Sequence, residues 1–201
     1  MKPLRLMAAV GFLYLTFSTR AEIDLSPIPS VRELEGCKFP QLEFRDDGER
    51  ITYEVPRGWT YQARDKYTLA LTPPNKDLVS AKIKFIPASG TLVLDEAQLK
   101  YLKDTASSLL PPDSKLSAEP IITPNPLRIN DHPTCEVVVA FELHAQRLRM
   151  SVLFVDLGQS QLRFSLISRP DDFEKLHKAF QDSWFSWQWA GKPEAAVADG
   201  S

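Results

Sequence analysis

Apolar residues recur along this chain with two different periods. From 51 to 85 the period is two. Ile51, Tyr53 and Val55 alternate with Thr52 and Glu54, Tyr67, Leu69 and Leu71 with Thr68, Ala70 and Thr72, and Ala81, Ile83 and Phe85 with Lys82 and Lys84. Successive side chains of a strand point to opposite faces, so each run predicts a short strand with one polar face. Pro56-Arg57-Gly58, Pro73-Pro74 and Pro87 separate them. The period then becomes helical: Leu99, Leu102, Ala106 and Leu109 fall on one face, Asp95 and Gln98 suit an N-cap and its N3 partner, and Pro111-Pro112 stops the run. A helix is expected over 95–110.

The strongest β signal follows a Pro-rich connector at 113–126. Strands are expected at 134–144, 147–157 and 161–168, with a hairpin at Gly158-Gln159-Ser160. The turn at His144-Ala145-Gln146 lacks the Gly or Asn that tight hairpins favour. A second helix, 171–182, has Asp171 and Glu174 as a possible capping box and an apolar stripe of Phe173, Leu176 and Phe180. Trp187 and Trp189 share one face of a short last strand. The fold class is therefore α+β: one antiparallel sheet of about six to eight strands flanked by two helices. Residues 22–40 mix Pro, Ser and charge without period and read as a linker or arm. The domain spans 41–190, with a polar, disordered tail at 191–201.

The first residues carry an address. Lys2 and Arg5 precede an uncharged apolar stretch from Leu6 to Phe17, and Thr19-Arg20-Ala21 places small residues at a cleavage point. This is the pattern of a secretory signal peptide, residues 1–21, cut after Ala21. Twelve helical residues reach about 18 Å, short of a ~30 Å hydrocarbon core, so no stable membrane span is expected after cleavage. A secreted or periplasmic location follows.

Composition narrows function without naming it. The 201 residues hold 24 Lys and Arg against 26 Asp and Glu. Loss of Lys2, Arg5 and Arg20 leaves 21 basic groups and a net charge of −5, which disfavours a nucleic-acid partner. Export makes the two cysteines, Cys37 and Cys135, either a disulfide closing a loop of about 100 residues, worth about 4–5 kcal/mol, or two separate thiols. Cys135 opens CEVVVAF at a core-facing parity, which suits a buried thiol equally.

Resemblance enters on YEVPRGW (53–59), DEAQLKYLK (95–103), LRINDHPTCEVVVAF (127–141) and DFEKLHKAFQDSWFSW (172–187). Their order resembles the PsbP-like and DcrB-like α/β/α sandwich superfamily over roughly 40–190. The resemblance implies a small exported accessory or assembly protein. No motif is present onto which a metal-linked role could be carried residue by residue.

Catalytic motifs are absent from the sequence: no G-x-S-x-G, H-E-x-x-H, P-loop, G-x-G-x-x-G or EF-hand loop occurs. His132, His144 and His177 do not stand at metal-ligand spacing, and no metal or cofactor is expected. Arg147, Arg149 and Arg163 form the sharpest candidate. Two share a strand face and the third lies on the next strand, so three guanidiniums together would take a carboxylate or phosphate. The alternative is pairing with Glu136 and Glu142 on the adjacent strand. Trp184, Phe185, Trp187 and Trp189 are either core or a partner-binding edge, with Trp189 the member expected to be exposed. The function expected is a non-enzymatic exported accessory protein that binds another exported or envelope protein. The alternative is a small-molecule or lipid binder with a pocket between the first helix and the sheet.

Overall fold

The computed structural model describes residues 22–46, 49–87 and 91–189. The expected signal peptide at 1–21, its expected cleavage point after Ala21 and the expected tail at 191–201 lie outside them. Fourteen elements follow in order: β1 (Ile23–Leu34), β2 (Cys37–Asp46), β3 (Glu49–Tyr53), β4 (Thr60–Asp65), β5 (Thr68–Thr72), β6 (Ser80–Ile86), α1 (Glu96–Ser108), β7 (Lys115–Leu116), β8 (Ile121–Pro124), β9 (Thr134–Leu143), β10 (Gln146–Asp156), β11 (Gln161–Ser168), α2 (Pro170–Trp184) and β12 (Gln188–Trp189). The class is α+β, but the strands form two antiparallel sheets rather than one. A four-stranded sheet runs β1-β2-β3-β12, and an eight-stranded sheet runs β4-β5-β6-β11-β10-β9, with β7 and β8 in succession along the outer edge of β9.

The layers follow from which positions are apolar. Leu69, Leu71, Ala81, Ile83, Phe85, Leu153, Phe164 and Leu166 form one face of the large sheet, and they pack with Ile23, Leu42, Phe44, Ile51 and Tyr53 of the small sheet. Leu176, Phe180 and Trp184 of α2 close the same core. Phe164 is its centre, with ring centroids 5.6 to 6.5 Å from Tyr53, Phe180, Trp184 and Trp187. Rings at these separations and tilts add to the burial term, which alone is about 1.5–3 kcal/mol per large side chain. The opposite face forms a second, smaller core. There Leu102 and Ala106 of α1 cover Cys135, Val137, Val139 and Phe141 of β9 and Met150, Val152 and Phe154 of β10.

The helix ends differ. At α1, Asp95 caps the helix by accepting from the Gln98 amide at 2.7 Å, while the Gln98 side chain reaches past the cap and accepts from Leu94 at 3.1 Å, so only half of the reciprocal box forms. At α2 the expected Asp171–Glu174 box is not formed. The N-cap is Arg169 with no side-chain bond, and Pro170, which has no amide hydrogen to satisfy, opens the helix.

Residues 22–40, expected as a linker or arm, form β1 and the first part of β2. Leu34 faces Cys37 across a two-residue turn in which Glu35 (φ 51°) and Gly36 (φ 78°) are both left-handed, the geometry that matches strand twist. Their far halves are exposed on both faces, so burial imposes no alternation to read. Leu143 and Gln146 are likewise joined through His144 (φ 49°) and Ala145 (φ 61°). The same turn is therefore built once with glycine and once without it.

Candidate functional site

α1 lies over β9, and one side of it, from Asp95 to Ser107, does not close against the sheet edge. Between α1 and β7–β8 runs an open groove of about 1010 Å³. The gap exists because the facing positions are small or rigid: Ala97 and Ser107 on the helix, Pro120 before β8. Leu99, Leu116 and Ile122 supply its apolar surface, and Leu116 is 51 % exposed. Both rim lysines are paired: Lys100 with Asp104 along the helix, and Lys103 across to Glu119, both at 2.7 Å. That lysine also holds the Glu119 carboxyl below the usual range, by its hydrogen bond first and its charge second. Exposed pairs of this kind contribute little stability, so the rim opens at small cost.

A second polar group of interest is buried. Glu136 of β9 lies beneath α2, where Ser151 and His177 Nε2 each reach its Oε1 at 2.5 Å and Gln181 reaches Oε2 at 3.4 Å. Burial by itself pushes this carboxyl up, but the bonds from His177, Ser151 and Gln181 outweigh it and hold the group below its ordinary value. Glu136 is thus an acceptor only, and both Ser151 and His177 donate to it. Although the residue types are those of a hydrolytic triad, their connection is wrong for one. The serine hydroxyl faces the carboxylate instead of the imidazole, and His177 stacks on Phe173 at 5.0 Å.

The three arginines do not converge. Asp156 faces Gln161 across the hairpin, so Arg149 lies opposite Ser168 and Arg163 opposite Phe154. An odd residue of β10 therefore shares its face with an even one of β11. Arg147 and Arg149 point to the α2 side, Arg163 to the α1 side. Nor does the expected strand pairing hold for Arg149. Its guanidinium meets Glu174 of α2 at 2.5 Å and lies 4.1 Å from the Phe173 ring centroid, while Glu136 is taken by His177 and Ser151. Arg147 does stand opposite Glu142 in register.

The two cysteines are not joined. Cys37 is exposed beside the β1–β2 turn, whereas Cys135 is fully buried under α1, where burial and the neighbouring Glu136 push its thiol up to about 11. Of the C-terminal aromatics, Trp184 and Trp187 are core and Phe185 is the exposed one, at 61 %. Trp189, expected outside, is half-buried and donates to Asp46 at 3.2 Å. Among the described residues, no cluster of His, Cys, Asp or Glu is arranged to hold a metal, and no helix is long and apolar enough to cross a membrane.

The sequence placed a pocket between the first helix and the sheet only as the alternative reading, and the edge strands that wall the groove were not legible because β7 and β8 are two and four residues long and are mostly exposed. The one available signal was Leu116 and the Ile121-Ile122 pair standing in an otherwise polar, Pro-rich connector.

No protein-family model matches this chain, and no curated protein matches it. Solved structures similar to it include one from Bacteroides thetaiotaomicron, at 7 % identity and a TM-score of 0.44 over 72 % of this chain. This chain spans 46 % of that protein, less than half its length. A Pseudomonas aeruginosa protein of unknown function is similar at 15 % identity and a TM-score of 0.41, covering 83 % of this chain and 99 % of that one. Cyanobacterial PsbP from Synechocystis is similar at 15 % identity and a TM-score of 0.42, covering 71 % and 87 %.

Proposed function

We propose that this chain is an exported, non-enzymatic accessory protein that binds a segment of another exported or envelope protein in the groove between α1 and the β7–β8 edge. The observation that carries the reading is the groove itself. It combines apolar surface at Leu99, Leu116 and Ile122 with a rim of both charge signs, the combination that suits a polypeptide better than a lipid tail. Its openness also fits a chain segment lying along it. The leader-like pattern at 1–21 supports export. The non-enzymatic part is supported by Glu136, His177 and Ser151 satisfying one another beneath α2, where all three are largely buried.

A photo-crosslinking residue at Leu116, introduced in the cells that make the protein, should form one discrete adduct with a polypeptide. The adduct should disappear when Leu99→Asp is added, and the same crosslinker at Lys38 on the β1–β2 hairpin should give none. No adduct from Leu116, together with co-purifying lipid, overturns the reading in favour of a small-molecule or lipid binder.

A further inference from the structure

α1 covers mainly the β9–β10 half of its face of the large sheet, and the other half carries cations that have no acidic partner among the described residues. Arg163 of β11 lies directly opposite Lys84 of β6, and Ser165 directly opposite Lys82. Thr68 of β5 faces Lys84 from the other side. These side chains surround a partly enclosed depression of about 210 Å³, with Met150 and Ile167 as apolar floor and Leu109, at the end of α1, as a wall. No carboxylate lines it, and neither lysine takes part in the ion pairs formed among the described residues. Among the described residues Arg163 bonds to the Gln161 side chain and lies over the Phe154 ring, and burial lowers its guanidinium from the ordinary value while Tyr101 of α1 opposes that shift.

Like charges placed directly opposite each other on antiparallel strands are unfavourable. The Lys84–Arg163 pair therefore costs stability, and no carboxylate among the described residues is paired with it. An anion seated between them removes that cost.

We propose that this depression binds a phosphate monoester with an apolar substituent, the phosphate held by Lys82, Lys84 and Arg163 and the substituent lying on Met150, Ile167 and Leu109. Three cations match a group of charge near −2 better than a single carboxylate. Every polar side chain around the cations can donate, and a phosphate offers three strong acceptor oxygens. At 210 Å³ the space is below the 300–1,000 Å³ usual for a drug-sized ligand. It therefore takes the head and the first carbons of the substituent and leaves the remainder in solvent. The proposal is independent of the groove and of what the groove binds.

Titration calorimetry with hexyl phosphate, inorganic phosphate and hexanoate tests it. Hexyl phosphate should bind at least tenfold more tightly than either of the others, because only it satisfies both halves of the site. The double variant Lys82→Gln/Lys84→Gln alters exposed positions only. It should weaken hexyl phosphate at least tenfold while its melting temperature stays level or rises by about 1–3 °C. Equal affinity for hexanoate, an unaffected double variant, or no binding of hexyl phosphate overturns the proposal. Sedimentation with phosphatidic acid vesicles separates the sources. Co-sedimentation abolished by the double variant assigns the substituent to a lipid, and hexyl phosphate binding without co-sedimentation assigns it to a soluble ester. Co-sedimentation that survives the double variant counts against the site.

Discussion

Under the small sheet and α2, strands β5, β6 and β11 present Leu69, Leu71, Ile83, Phe85, Phe164 and Leu166, all buried. On the reverse side the same three strands present Thr68, Ser80, Lys82, Lys84, Arg163 and Ser165, all half-buried or exposed. Their neighbour β10 is different, with Met150, Val152 and Phe154 buried on one face and Ser151, Leu153 and Val155 on the other. The sheet is thus divided between β11 and β10 as well as between its two sides. Where both faces are covered, polar alternation disappears; where one face is open, it persists. A polar residue inside the doubly covered part must bring its own partners, as Glu136 does with three donors.

The largest expected effect is at the centre of the larger core. Phe164→Ala should cost about 3–5 kcal/mol in urea unfolding, since four aromatic neighbours cannot all collapse into the space left. A loss under 1.5 kcal/mol would show that this face is loosely packed and would weaken the contrast drawn above. Next comes the buried carboxylate. Glu136→Gln should cost about 2–4 kcal/mol, because the charge that His177 and Ser151 donate to is removed.

The same residue sets a pH dependence. Its folded-state value lies below that of the unfolded chain, so its contribution is full above the ordinary glutamate value of about 4.3. The contribution is lost as pH falls through the folded value. Acid unfolding curves should therefore be flatter in Glu136→Gln than in the unaltered protein, and parallel curves would contradict the assignment.

Asp95→Ala removes the α1 cap and should cost about 1 kcal/mol by thermal unfolding, since the Gln98 amide loses its acceptor. The smallest effect has the opposite sign. Lys84→Glu turns the like-charged pair with Arg163 into an opposite-charged one and should stabilise by about 0.2–1 kcal/mol. Destabilisation instead would mean that the open face is organised by something other than pairwise charge.

Legibility in the sequence followed coverage. β3, β5 and β6 were readable because each has one buried and one open face, and α1 because its apolar stripe and its cap agree. β4 was not, as all six of its residues are exposed. The outer halves of β1 and β2 fail for the same reason, and the short edge strands β7 and β8 carry too few residues for any period. Pairing among the arginines was misread because it depends on the hairpin register, and a shift of one residue moves a side chain to the opposite face. Phe185 and Trp189 exchanged expected roles because β12 is only two residues long and pairs with β3, which turns Trp189 inward toward Asp46.

Local elements are written in the residue order alone: where alternation and helical period begin and end, where proline stops them, and that the class is α+β. These are decided by neighbours a few residues apart, which is the range over which burial of a face leaves a pattern. The division into two sheets, the separation of Arg163 from Arg147 and Arg149, its grouping with Lys82 and Lys84, the isolation of Cys37 from Cys135, and the groove beside α1 were decided by the tertiary structure alone. Each depends on which strands become neighbours and in what register, and a pattern along one strand does not name the strand that will lie beside it.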